Sequence, residues 1–264
     1  MPVRVGSVSY LNARPLAHHL NRWPSRFTVR YDVPSRCAAL LHEGAIDLGL
    51  IPSIEYLSGD YRIVPDIGVV SDGPVGSVAL FTRVPIADVR SIALDTSSRT
   101  STALIRVLCA RHFDVQPEFV AHDPDVEAMV RRCDAALVIG DRALFADPAA
   151  LGADKIDLGA EWLAMTGLPF VYAFWAGPPD VLAGEDVARL QEARDAGVRD
   201  IDEVVAAFFP GDPDRQHIGA CYLRENIRFG LRDRELQGFE LFARLASEVE
   251  AAPGPRRTRL YGDP

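Results

Sequence analysis

The stretch Ser91-Ile92-Ala93-Leu94-Asp95-Thr96-Ser97-Ser98-Arg99-Thr100-Ser101-Thr102 runs from an apolar strand pattern through a polar turn into a helix. The strand reading covers residues 91–94, and the helix reading covers residues 99–112. Working outward, the same alternation continues on both sides. Downstream come a strand at 118–121, a helix at 124–132 capped by Asp123, a strand at 135–139 and a helix start at 141–145. Upstream stand strands at 3–8, 27–31 and 46–51. Helices are expected at 13–22, at 34–42 with Pro34 near its start and Gly44 past its end, and at 52–57. Residues 62–70 and 77–82 are two more strands. Alternation of this kind marks βαβ units on mainly parallel sheet, an α/β fold.

The aromatic and β-branched run at 168–176 is a buried strand, and helical patterns follow at 181–196, 201–209, 215–223 and 235–250. The order suggests two α/β lobes, with the helical remainder packed back on the first. Crossings near 77–82 and 168–176 would form a hinge. This is the layout of a type II periplasmic-binding-protein-like fold with a ligand cleft between the lobes. The expected division is residues 1–82 plus 177–264 for one lobe and 83–176 for the other, with 253–264 a flexible tail. A single doubly wound sheet is the alternative.

Composition narrows the function. The 264 residues include 28 basic and 37 acidic ones, a net charge of −9, which disfavours nucleic acid and anionic membrane as partners. Lys155 is the only lysine, so a phosphate loop ending in Gly-Lys is absent and imine chemistry would fall to one residue. The start reads as a strand rather than a secretory signal, and Cys37, Cys109, Cys133 and Cys221 form no Cys-x-x-Cys pair. Both features point to the cytoplasm.

In parallel α/β sheets ligands gather at the carboxyl ends of strands. Three polar loops lie there: Ser7-Val8-Ser9-Tyr10-Leu11-Asn12-Ala13-Arg14-Pro15, Gly49-Leu50-Ile51-Pro52-Ser53, and 95–102. The third carries six hydroxyls in the seven positions from Thr96 to Thr102 and opens a helix. Free N–H groups, the helix dipole and Arg99 make it a candidate anion site; simple capping by Ser97 or Ser98 is the plainer explanation.

In these loops the chain resembles the chorismate dehydratase family of the futalosine route to menaquinone. The resemblance rests on Val5-Gly6-Ser7-Val8-Ser9-Tyr10-Leu11-Asn12-Ala13-Arg14-Pro15-Leu16, on Gly44-Ala45-Ile46-Asp47-Leu48-Gly49-Leu50-Ile51-Pro52-Ser53, on Gly76-Ser77-Val78-Ala79-Leu80 and on Leu94-Asp95-Thr96-Ser97-Ser98-Arg99-Thr100-Ser101. Ile139-Gly140-Asp141 and Asp157-Leu158-Gly159-Ala160-Glu161-Trp162, followed by Thr166-Gly167-Leu168-Pro169-Phe170, continue it in order. Tyr222-Leu223-Arg224-Glu225-Asn226-Ile227 is compatible and less diagnostic.

The resemblance implies a two-lobe binding-protein fold acting as a lyase, without metal or organic cofactor. Such an enzyme removes water from chorismate to give 3-[(1-carboxyvinyl)oxy]benzoate. Asn12 and Ser77 are then the expected catalytic residues. Ser9, Tyr10, Ser53, Ser97, Ser98, Arg99, Thr100, Ser101, Gly140 and Asp141 are the expected substrate-binding ones, with Arg14 a further candidate that equally reads as surface helix. Asp141 reads as a helix cap or an acid, Glu161 as surface or cleft rim. No histidine falls in the polar loops, and His18-His19 lacks a third ligand at metal spacing. The run Phe170, Tyr172, Phe174 and Trp175 reads as strand core. Competing readings are a non-catalytic binder of a small carboxylate, the sister dihydroxynaphthoate synthase, whose opening loop differs, and a regulator's effector domain. Oligomeric state is open.

Overall fold

The computed structural model describes residues 1–263. Among these, ten strands are β1 Val3–Val8, β2 Phe27–Asp32, β3 Leu48–Pro52, β4 Arg62–Ser71, β5 Val78–Thr82, β6 Ser91–Asp95, β7 Glu118–His122, β8 Ala135–Ile139, β9 Asp154–Asp157 and β10 Phe170–Gly177. They form two five-stranded sheets, β2-β1-β3-β10-β4 and β7-β6-β8-β5-β9. The two orders are the same pattern. In each, the first three strands run parallel, while one strand entering from the other lobe runs antiparallel in fourth place. β5 and β10 are the strands that the chain enters on crossing from one sheet to the other. Two sheets rule out the single doubly wound alternative.

The pairing also moves the expected lobe boundaries. A division at 82/83 and 176/177 would leave β5 in the first lobe and β10 in the second. Instead β5 lies between β8 and β9, and β10 lies between β3 and β4. The crossings therefore fall at 72–77 and 167–169. Fully apolar strands such as β3, β5 and β8 are buried end to end, as strands covered by helices on both faces must be. Such a strand suits either sheet, which is why periodicity misplaced the boundary.

Helices cover the sheets much as their patterns require. Pro34–His42 begins at its proline and ends before Gly44, whose φ is +68°. The helix expected at 13–22 is broken into a turn at Leu11–Ala13, a helix at Arg14–Ala17 and a turn at Leu20–Arg22. The one expected at 124–132 spans Val126–Arg132, and its cap is Asp125, which accepts the Ala128 N–H at 3.0 Å, not Asp123. Helices Pro148–Leu151 and Leu158–Thr166 and strand β9 lie in a stretch where no element was read.

Helix Gly184–Arg199 packs on Arg14–Ala17 and β4, as expected for the first lobe. Helix Asp233–Glu248 touches both lobes, lying on β10 and on helix Thr100–Leu108. Its Phe239 and Phe242 are buried against Phe174, Phe170 and Trp162, each ring contributing about 2 kcal/mol by burial. The C-terminal segment is not a flexible tail. Ile63 donates to Arg259 O and Tyr261 N–H donates to Ile63 O, both at 2.9 Å, and Tyr261 is buried. Those backbone bonds extend the β4 edge, which pattern in a Pro- and Arg-rich stretch does not reveal.

Candidate functional site

A narrow cleft opens between the carboxyl ends of the strands of both sheets. Its walls are mostly apolar, with Val8, Leu50, Val69, Val78 and Ile139 among them. Polar groups enter at two places. From the first lobe come Tyr10 and Asn12; from the second come Ser98, Arg99, Thr100, Ser101 and Gly140. Those seven expected residues converge. Ser9, Ser53, Ser77, Ser97 and Asp141 are not on the cleft wall, and each has a different place.

The second lobe's contribution is a helix N-terminus. Helix Thr100–Leu108 begins with no side-chain cap, so its first N–H groups are not satisfied by Ser97 or Ser98. The plainer capping explanation thus fails. The Ser97 hydroxyl and N–H instead bond Asp95 Oδ1 at 2.6 and 2.8 Å, folding the turn on itself. Thr100 Oγ1 accepts the Ile54 N–H at 3.2 Å, while Ser53 Oγ donates to Val171 O at 2.7 Å. Ser53 and Ser97 therefore support the wall from behind, while Ser98, Thr100 and Ser101 line it. Arg99 is half-exposed, with Nη1 3.1 Å from Glu55 Oε1 on the first lobe. Glu55 is buried and also holds His42 Nε2 at 2.8 Å, and His42 Nδ1 meets Tyr61 Oη at 2.7 Å. The cation at the helix start is thus shared between cleft and lobe contact.

The first lobe's contribution is the loop after β1. Gly140 has φ +65°, and a Cβ there would stand 2.8 Å from the Tyr10 ring, so only glycine lets Tyr10 lie across the opposite lobe. Tyr10 Oη reaches Ser97 Oγ at 3.3 Å, and burial raises its pKa. The Leu11 N–H donates to Asp141 Oδ1 at 3.1 Å. Asp141 is therefore a brace between lobes rather than a cap for its own helix, and burial holds its carboxyl above the usual range against the lowering effect of that bond. Arg14 is not a surface residue. Its guanidinium stacks 4.1 Å from the Tyr31 ring centroid, also faces Phe208, and donates to Ser9 O at 3.2 Å. Ser9 thus serves the loop through its backbone.

Ser77 ends the first crossing and is buried. Its Oγ lies 2.6 Å from Tyr222 Oη, on the helix Pro213–Glu225. The backbone before it is clamped from both sides. Asp157 accepts the N–H groups of Val75 and Gly76 at 3.0 and 2.6 Å, while also capping its own helix through Gly159 and Ala160. Lys155 Nζ donates to Gly76 O and Ala143 O, both at 2.8 Å. Gly140 N–H donates to Ser77 O at 2.8 Å. Tyr222, Lys155 and Asp157 were missed as site residues. Lys155 alone carried a signal, its singularity, and that signal spoke against imine chemistry and not for a hinge.

The remaining titratable groups lie elsewhere. His18 and His19 pair with Glu203 and Asp200 at 3.2 and 2.8 Å, and His112 pairs with Glu161 at 2.7 Å on the outside of the second lobe. Glu161 is therefore not on the cleft wall. Phe170, Phe174 and Trp175 are core, as read, whereas Tyr172 is core and cleft floor together, its Oη 3.0 Å from Ser71 Oγ.

Two α/β lobes with twin sheet orders, two hinge crossings and an interlobe cleft define a protein of the type II periplasmic-binding-protein-like fold. Solved structures with this fold agree. One from Archaeoglobus fulgidus aligns at TM-score 0.76 and 16% identity over 94% of this chain and 98% of its own. The alkanesulfonate-binding protein of Xanthomonas axonopodis pv. citri, bound to MOPS, aligns at 0.71 and 19% over 96% and 94%. Within that class the chain belongs to the menaquinone biosynthesis family, which it matches over residues 3–248. It is 30% identical to chorismate dehydratase of Thermus thermophilus over 92% of this chain and 94% of that one. No helix among the described residues is long and apolar enough to cross a membrane.

Proposed function

We propose that the protein removes water from chorismate to give 3-[(1-carboxyvinyl)oxy]benzoate within menaquinone biosynthesis. The observation that carries this reading is the uncapped helix start at Thr100 and Ser101 facing Asn12 across an apolar cleft. Chorismate carries two carboxylates on a compact ring. One would bind the helix N–H groups with Ser98, Ser101 and Arg99, where dipole and hydroxyls favour negative charge. Asn12 and Tyr10 would hold the other end from the first lobe.

The elimination breaks the ring C–H beside the ether oxygen and the neighbouring C–O bond, and forms the double bond that completes the aromatic ring. The C–H electron pair becomes that double bond, the hydroxyl leaves with its own pair, and proton and hydroxide combine as water. Aromaticity lowers the demand for a strong base. In this reading the enolpyruvyl carboxylate of the substrate takes the proton and delivers it to the departing oxygen. Asn12 and the Ser77 region orient the substrate, an effect of position and fixed dipoles. Asp141 is committed to the Leu11 N–H and Glu161 to His112, which supports leaving both out of the proton transfer.

The reading also puts the protein in the cytoplasm. Buried Cys37 and Cys109, each pushed up to about 12 by burial, are unreactive thiols suited to that compartment. The second reading, a carboxylate binder without turnover, is supported by the fold shared with the sulfonate-binding relative. Incubation with chorismate separates the two. Loss of diene absorbance with formation of an aromatic benzoate is expected; binding without conversion would favour the binder, and no binding would sink both.

A further inference from the structure

The helix Pro213–Glu225 belongs to the C-terminal third, far in sequence from every cleft loop, yet it grips the first crossing at two points one turn apart. Tyr222 Oη lies 2.6 Å from Ser77 Oγ, and Asn226 Nδ2, four residues on, donates to Pro74 O at 2.9 Å. Residues at this spacing share one helix face. Tyr222 is 3% exposed, so its hydroxyl must find its partners within the protein. Ser77 is its hydrogen-bond partner, and Asn12 of the opening loop is near enough to lower the phenol's pKa against the effect of burial. The phenol thus stands at the junction of the opening loop and the hinge, behind the cleft wall formed by Asn12 and Val78.

We infer that Tyr222 is a positioning residue, whose hydroxyl fixes Ser77, and with it the first crossing, so that the cleft wall beside Asn12 and Val78 keeps the shape that orients the substrate. The inference rests on the dehydration reading above. A phenol hydroxyl both donates and accepts, so it can hold the Ser77 hydroxyl in one orientation whichever of the two gives the proton. Burial keeps the phenol protonated far into the alkaline range, so the junction keeps its proton at working pH. Such a group acts on orientation and leaves the carboxylate-binding helix start untouched. Its loss is felt in kcat more than in KM.

The test is Tyr222→Phe, Ser77→Ala and the double variant, assayed with chorismate beside the wild-type protein. Tyr222→Phe is expected to lower kcat about tenfold with KM changed less than about twofold, and to add less than about twofold to the loss in the Ser77→Ala background. An unchanged kcat, or a full tenfold further loss in that background, would overturn the inference. Should Tyr222→Phe fail to fold, 3,5-difluorotyrosine at position 222 keeps shape and hydroxyl while making the phenol more acidic. An alkaline fall of kcat should then set in at lower pH than any shown by the wild type, and a profile identical to wild type overturns the inference equally. Wild-type protein that leaves chorismate unconverted removes the dehydration reading and the inference together. Conversion by wild type with indifferent variants removes the inference alone.

Discussion

Arg99 at the start of the second lobe's cleft helix is paired with Glu55 on the first lobe, Nη1 to Oε1 at 3.1 Å, so the charge that would hold a substrate anion also ties the lobes. Glu55 is the buried partner and Arg99 the half-exposed one. A carboxylate bound at the helix start would therefore compete with Glu55 for the guanidinium.

Opposite shifts in KM follow from that competition. Arg99→Gln should raise KM for chorismate about tenfold, as loss of a charge-assisted bond does, with kcat within about threefold of wild type. Glu55→Gln should lower KM by releasing Arg99 to the substrate. Steady-state kinetics at two ionic strengths checks both, and the Arg99→Gln effect should shrink in high salt. Equal shifts of the same sign would refute the competition.

Asp141 makes a prediction in pH. Burial holds its folded-state pKa above the ordinary 3.8, so the folded protein binds this proton more tightly than the unfolded chain. Stability from this group is then greatest in acid and declines as pH rises through the raised value. Asp141→Asn keeps an acceptor for the Leu11 N–H without the charge. Its thermal midpoint relative to wild type should climb from pH 4 towards neutrality, in about that window. Turnover should stay within about threefold, whereas abolished turnover with chorismate still bound would make Asp141 the base.

Lys155 offers a stability test. Its ammonium satisfies Gly76 O and Ala143 O at the hinge, and Lys155→Met leaves two carbonyls without that donor. Urea unfolding should show a loss of about 2–3 kcal/mol, with the slope unchanged. Lys155→Arg should recover only part, because a planar fork cannot replace a compact ammonium between two carbonyls. A loss below about 0.5 kcal/mol would mean water serves the carbonyls as well.

Much of this molecule was legible in one dimension. Strand and helix alternation is a local property, set by burial period and by helix-start residues such as Pro34. Ala135–Ile139 and Asp141–Phe145 accordingly fall at their expected bounds. The hydroxyl-rich run opening a helix, the loop holding Asn12, and Gly140 where a side chain would strike Tyr10 were likewise visible as chemistry at strand ends.

Folding in three dimensions settled which side chains are free to act. Ser53 and Ser97 read as ligands, but their hydroxyls are engaged with Val171 O and Asp95. Asp141 read as a cap, an acid or a substrate ligand, and its carboxylate accepts the Leu11 N–H, 130 positions away in the chain. Ser77 is bound to Tyr222 across 145 positions, and Leu260–Tyr261 adds to the edge of β4. Residue types and short spacings specify what each group can donate or accept. Which partner takes up that capacity depends on contacts between distant segments, and these exist only once both sheets have formed and the chain has crossed between them.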